Sequence, residues 1–187
     1  MADISPRAAK ARVRKAPAPN HPRLQRLAPF GRDPVWFIEA FFLAYRDFIT
    51  EPDRILAEIG FGRAHHRVLY FVNRYPGMRV ADLLEILQIT KQSLARVLRE
   101  LVREGYVRQL SGESDRRERL LYATDKGNAL AGRLTELQMV KMQKALAALG
   151  PQGAVAVADF FQRMAPDASQ LALRRSRPGA DAAGDRA

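Results

Sequence analysis

Between Thr90 and Arg103 the chain sets Lys91, Gln92, Ser93, Ala95, Arg96, Arg99 and Arg103 on one side of a helical period and Leu94, Val97, Leu98, Leu101 and Val102 on the other. Those polar side chains have a defined chemistry on an exposed helix. The DNA major groove admits a helix; there Arg donates two hydrogen bonds to guanine N7 and O6, and Gln pairs with adenine N6 and N7. Gln92, Ser93 and Arg96, in the first turns, are the expected base-reading residues. Thr90, Lys91 and Arg99 are expected on phosphate, which fixes register without reading sequence. A second constellation is Asp115-Arg116-Arg117. Either arginine suits the negative potential of a minor groove, and Asp115 can hold a guanidinium in one rotamer through a bidentate pair. Taken singly, each has a plainer reading, as a solvated helix face or a salt-bridged turn.

The surrounding elements favour the chemical reading. Val80, Leu83, Leu84 and Leu87 fall at i, i+3, i+4 and i+7, which predicts a helix of about eight residues ending at the turn Gln88-Ile89. Thr90 is an N-cap for the helix that follows, and Gly105 ends it. A short helix, a tight turn and a helix with a basic face form a helix-turn-helix. Tyr106–Leu110 and Leu120–Thr124, flanking a charged tip, then predict a β-hairpin, placed where a wing belongs.

Upstream, Asp33 and Pro34 suit the N-cap and first position of a helix over about 34–49. Its Trp36, Phe37, Phe41, Phe42, Leu43, Tyr45 and Phe48 surround it almost entirely, so it must be covered on more than one side, and a subunit interface is expected there. Glu51–Gly62 reads as a polar connection with short helical character, and Arg63–Arg74 as a helix stopped by Pro76-Gly77. After Thr124, a long helix is expected from about Lys126 to Leu149. Gly150-Pro151 breaks it before a last helix around Ala154–Met164 that reaches toward Leu173. The fold class is thus mainly α with a small β-hairpin wing.

Net charge is +11 over 187 residues, but it is unevenly placed. Residues 1–32 hold eight Lys/Arg against one Asp, and residues 174–187 four Arg against two Asp, so the body between is nearly neutral. Residues 1–32 read as a disordered basic arm and 174–187 as a disordered tail, with one domain over 33–173 whose DNA-reading part is about 64–123. A basic arm adds salt-dependent, sequence-independent affinity for phosphate. No cysteine is present, which excludes disulfides and thiol redox sensing. The first thirty residues carry no apolar run suited to export or membrane insertion, so a cytoplasmic, nucleoid-associated protein is expected, with no membrane partner.

Three features, combined in this order, resemble the MarR family of bacterial transcriptional regulators over roughly Asp33–Met164. They are the Leu83–Leu110 helix-turn-helix, the Asp115-Arg116-Arg117 wing, and the passage Leu121-Tyr122-Ala123-Thr124-Asp125-Lys126-Gly127 into the long helix. The resemblance implies a homodimer formed by the first and last helices, presenting two winged reading heads to a pseudo-palindromic operator on double-stranded DNA. It further implies repression and release by a small aromatic ligand, for which Trp36, Phe37, Phe41, His65, His66, Leu69 and Tyr70 are the candidates. The plainer reading of the aromatics is core, and of His65-His66 a cap or local hydrogen-bond site.

The competing reading is a DNA-architectural or anti-repressor protein that binds broadly through its arms. An enzyme is not expected: no Gly-x-Ser-x-Gly elbow, phosphate loop or zinc-protease signature appears. No cofactor is expected, nor any metal site, since His21, His65 and His66 lack the spacing of a ligand set.

Overall fold

The computed structural model describes residues 34–112 and 118–165. The expected arm, the Asp33 cap, the hairpin tip with Asp115, Arg116 and Arg117, and the C-terminal tail lie outside them. The elements run α1 (Pro34–Glu58), α2 (Arg63–Arg74), β1 (Met78–Arg79), α3 (Val80–Leu87), α4 (Lys91–Arg103), β2 (Val107–Ser111), β3 (Arg119–Ala123) and α5 (Asp125–Met164). The chain divides into two units, Met1–Ala44 and Tyr45–Ala187, and the second unit contains the core.

Helix α1 corrects the sequence reading. The segment after Glu51 is not a connection but two further turns of the same helix, running through Pro52. An interior proline removes a backbone donor and usually ends a helix. Here its ring is fully buried, and the turns it sits in deliver Ile49, Ile55 and Leu56 to the interior. Carbonyls just upstream gain other donors: Thr50 Oγ1 donates to Arg46 O at 2.7 Å, and Lys141 Nζ donates to Asp47 O. The polar residues that resembled a loop are the outer face, where Arg54 pairs with Glu51 and Glu58 one turn to either side.

Helix α2 lies at the centre of the second unit, with Val68, Leu69 and Val72 fully buried. They share one cluster with Leu83 and Leu87 of α3, Leu94, Val97 and Leu101 of α4, Leu121 of β3 and Leu134 of α5. Polar clips fix the packing. Arg67 donates to Leu87 O at the end of α3 (3.1 Å), and Asn73 donates to Asn128 of α5 (2.8 Å).

The hairpin is β2 against β3, antiparallel, with Val107 opposite Ala123 and Ser111 opposite Arg119. A third strand, not foreseen, extends it. The two residues of β1 pair antiparallel with β3, Met78 opposite Leu121 and Arg79 opposite Leu120, giving the order β1-β3-β2. Two residues are too few to show a period, and only the pairing makes them a strand.

Helix α5 is continuous except at Gly150, whose φ of 70° and ψ of 178° interrupt it ahead of Pro151, where the sequence places the break. Among the described residues no helix is long and apolar enough to cross a membrane.

Candidate nucleic-acid interface

The basic face of α4 is built by its inner one. Leu94, Val97, Leu98 and Leu101 are buried, which forces Lys91, Gln92, Ser93, Arg96 and Arg99 outward, all exposed. Thr90 caps the helix as expected: its Oγ1 accepts from Ser93 N at 3.1 Å and donates to Ser93 Oγ at 2.9 Å. In the free chain the hydroxyls of Thr90 and Ser93 therefore serve one another and the helix start. Among the described residues, the charged side chains of α4 with a partner are Glu100, hydrogen-bonded to His65, and Arg103, paired with Glu104. Lys91, Arg96 and Arg99 thus present cations with no carboxylate partner, a surface matched to a polyanion.

The approach to α4 is set by a strained turn. Gln88 ends α3 in the left-handed region (φ 52°, ψ 43°), where a residue with a Cβ is uncommon. Its side chain donates to Glu85 O at 2.7 Å.

The far end of α4 is tied to α5 by the Thr124–Gly127 passage. Thr124 Oγ1 donates to Gly105 O (2.7 Å) and accepts from Gly127 N (3.1 Å), while Thr124 N donates to Tyr106 O (3.1 Å). Lys126 Nζ donates to Glu104 O (2.9 Å) and lies 4.2 Å from the centre of the Tyr106 ring. Three successive carbonyls after α4 are thus collected by the start of α5. Gly127 permits the approach, since a Cβ there would stand 2.0 Å from Tyr106 O.

The wing is tied to α3 on its tip side by a group the sequence reading missed. Arg79, in β1, donates to both carboxylate oxygens of Asp82 (3.1 and 2.9 Å) and to Glu118 (3.2 Å), beside the end of β3. The two carboxylates hold its guanidinium above the usual arginine range. On the hairpin, Arg108 lies 5.3 Å from the centre of the Tyr122 ring opposite it. The three-residue spacing of Arg79 and Asp82 was visible in the sequence, but nothing local announced Glu118.

The residues expected around an effector divide. Leu69 is fully buried in the core, and His65 has both ring nitrogens committed, one to Gly62 N (3.1 Å) and one to Glu100 (2.7 Å), in keeping with its plainer reading. His66 is buried, and desolvation pushes its imidazole below the ordinary range, opposed by the Asp53 carboxylate. Trp36, Phe37, Phe41 and Tyr70 keep exposed ring surface.

A short helix, a left-handed turn, a second helix with an unpaired cationic face and a three-stranded wing define a winged helix-turn-helix protein. The chain belongs to the MarR family of transcriptional regulators. A profile described as MarR family matches residues 59–118, from the end of α1 to the wing. An HTH-type transcriptional regulator of Rhodobacter capsulatus, PetP, is 51% identical over 125 residues, 67% of this chain and 74% of PetP. The fold matches that of Streptococcus pneumoniae FabT, solved in complex with DNA, at a TM-score of 0.64 and 15% identity, over 74% of this chain and 99% of FabT. It also matches the S. aureus MepR–DNA complex at 0.58 and 17% identity, over 70% of this chain and 96% of MepR.

Proposed function

We propose that the chain is a sequence-specific, homodimeric repressor that reads a pseudo-palindromic operator on double-stranded DNA. The observation that carries this is the outer face of α4, where Lys91, Arg96 and Arg99 have no carboxylate partner among the described residues and Gln92 stands among them. In this reading Gln92, Ser93 and Arg96 meet base edges, and Lys91, Arg99 and the Thr90 end of the helix meet phosphate. Asp115, Arg116 and Arg117 serve the minor groove beside it. That FabT and MepR are solved on DNA with this fold supports the same use here.

Dimerisation is supported by apolar surface a single chain leaves open. On α1, Phe42 and Ile38 are 64% and 54% exposed; on α5, Val155 and Val140 are 70% and 60% exposed. A second copy covers such surfaces, and two heads about one helical turn, ~34 Å, apart then meet successive major grooves. Control by a small aromatic ligand belongs to the same proposal, with Trp36, Phe37, Phe41 and Tyr70 offering ring surface to it. We assign the chain no reaction.

The test is selection of bound fragments from random DNA by the full-length protein at roughly 150 mM salt, where non-specific binding is weakened. A pseudo-palindromic motif with half-sites about one turn apart supports the proposal. Enrichment without a motif favours the broad binder acting through its basic arm, and no enrichment refutes DNA recognition. Light scattering at twice the 21.0 kDa chain mass is expected in parallel.

A further inference from the structure

His65 is held from three sides although it reads no DNA itself. Its ring is stacked on Phe61 at 4.4 Å between centroids and 4° between planes, and Phe61 is edge-on to Tyr106 at 5.2 Å. Gly62 N–H donates to Nδ1 at 3.1 Å, so Nδ1 carries no proton. The proton is then on Nε2, which donates to Glu100 Oε2 at 2.7 Å, 35 residues along the chain.

Glu100 stands one turn beyond Arg96 and three residues before Arg103 on α4. The hydrogen bond from His65 and the nearby Arg96 and Arg103 guanidinium groups hold its carboxyl below the ordinary range. An arginine and a glutamate four apart on a helix pair readily when both are free. In this chain they do not pair, because the carboxylate is turned to His65.

We propose that His65 is a positioning residue for DNA binding, which holds the Glu100 carboxylate and keeps it from pairing with Arg96. The proposal rests on the reading of α4 as the DNA-contacting helix. Without His65, Glu100 swings to Arg96, neutralises it and sets a negative charge beside the phosphates.

The experiment uses the full chain with a fluorescein-labelled 30-base-pair duplex of random sequence, titrated from about 50 to 200 mM salt. His65→Phe keeps the ring stack and loses both nitrogens. It should weaken binding about tenfold, and the carboxylate released beside the phosphates should lower the slope of log K against log salt. Glu100→Gln alone should bind like wild type. The double variant H65F/E100Q should regain wild-type affinity to within about threefold and regain the slope, because the released anion is gone. A histidine that only supports folding predicts no rescue, so a double variant as weak as H65F overturns the inference. So does H65F binding like wild type. A wild-type protein that leaves the duplex unbound instead refutes the DNA-contacting role of α4, and the inference with it. Should H65F fail to fold, nitrogen-15 NMR of the wild type decides: Nε2–H with bare Nδ1 is expected, and a proton on Nδ1 overturns the arrangement.

Discussion

Replacing Gly127 with Ala would place a methyl carbon 2.0 Å from the Tyr106 carbonyl oxygen, far inside any real contact distance. The obstacle is backbone, so no rotamer relieves it, and either the first turn of α5 or the strand entry at Tyr106 must move. That movement loosens the bond from Thr124 N to Tyr106 O and the cap from Gly127 N to Thr124 Oγ1. Overpacking costs about 1–3 kcal/mol, and each weakened hydrogen bond adds about 1 kcal/mol. The expected loss is about 3–5 kcal/mol, or a fall in Tm of roughly 6–20 °C for a chain of this size. Gly132, five residues along in α5, supplies the control, because a Cβ there meets nothing within 4 Å. Gly132→Ala should gain up to about 1 kcal/mol from helix propensity and raise Tm by about 2–4 °C. Both are read by thermal unfolding at one fixed protein concentration, since association between copies makes a Tm concentration-dependent. If the two substitutions shift Tm in the same direction, or Gly127→Ala melts within about 2 °C of wild type, the close approach of α5 to Tyr106 is wrong.

Gln88→Gly should stabilise by up to about 1 kcal/mol by relieving the left-handed turn, read as a higher urea midpoint; an unchanged or lower midpoint would mean that the bond from Gln88 Nε2 to Glu85 O matters more. Burial sets the His66 imidazole below 6.5, so as pH falls from 6.5 the unfolded chain binds a proton that the folded chain refuses, and stability drops across that window. His66→Phe should flatten the fall in urea midpoint between about pH 7 and pH 5.5, and parallel curves for the two proteins would exclude His66 as its source. Arg96→Ala should weaken operator binding by about 1–3 kcal/mol and relax preference at one position of each half-site; unchanged preference throughout removes Arg96 from base reading. Deleting residues 1–32 should lower the salt slope while leaving the selected motif unchanged, whereas loss of the motif would assign recognition to the arm.

Helices α2, α3 and α4 were legible because their evidence is local. A stripe such as Val80, Leu83, Leu84 and Leu87 is complete within eight residues, and the boundary residues Thr90 and Gly105 lie beside the helix that they start and end. The same stripes decided which side of α4 faces outward, so the positions of Lys91, Gln92, Arg96 and Arg99 followed from sequence. The extent of helix α1 was misjudged where the polar character of the segment after Glu51 was outweighed by burial of Ile49, Ile55 and Leu56. A buried apolar face stabilises a helix by more than one missing hydrogen bond costs.

What the tertiary structure alone decided is the set of contacts between segments far apart in the chain. Strand β1 exists only because β3 runs beside it, and Arg79 meets Glu118 only through that pairing. The Glu100 carboxylate is turned from its helical neighbour Arg96 by a histidine 35 residues away. Gly127 is a glycine because of a carbonyl from the other end of the hairpin. Periodicity and capping are short-range properties that a sequence displays directly, and they determined which elements form and which face carries the cations. Pairing, close approach and the direction in which a carboxylate turns depend on three-dimensional proximity, which no local pattern encodes.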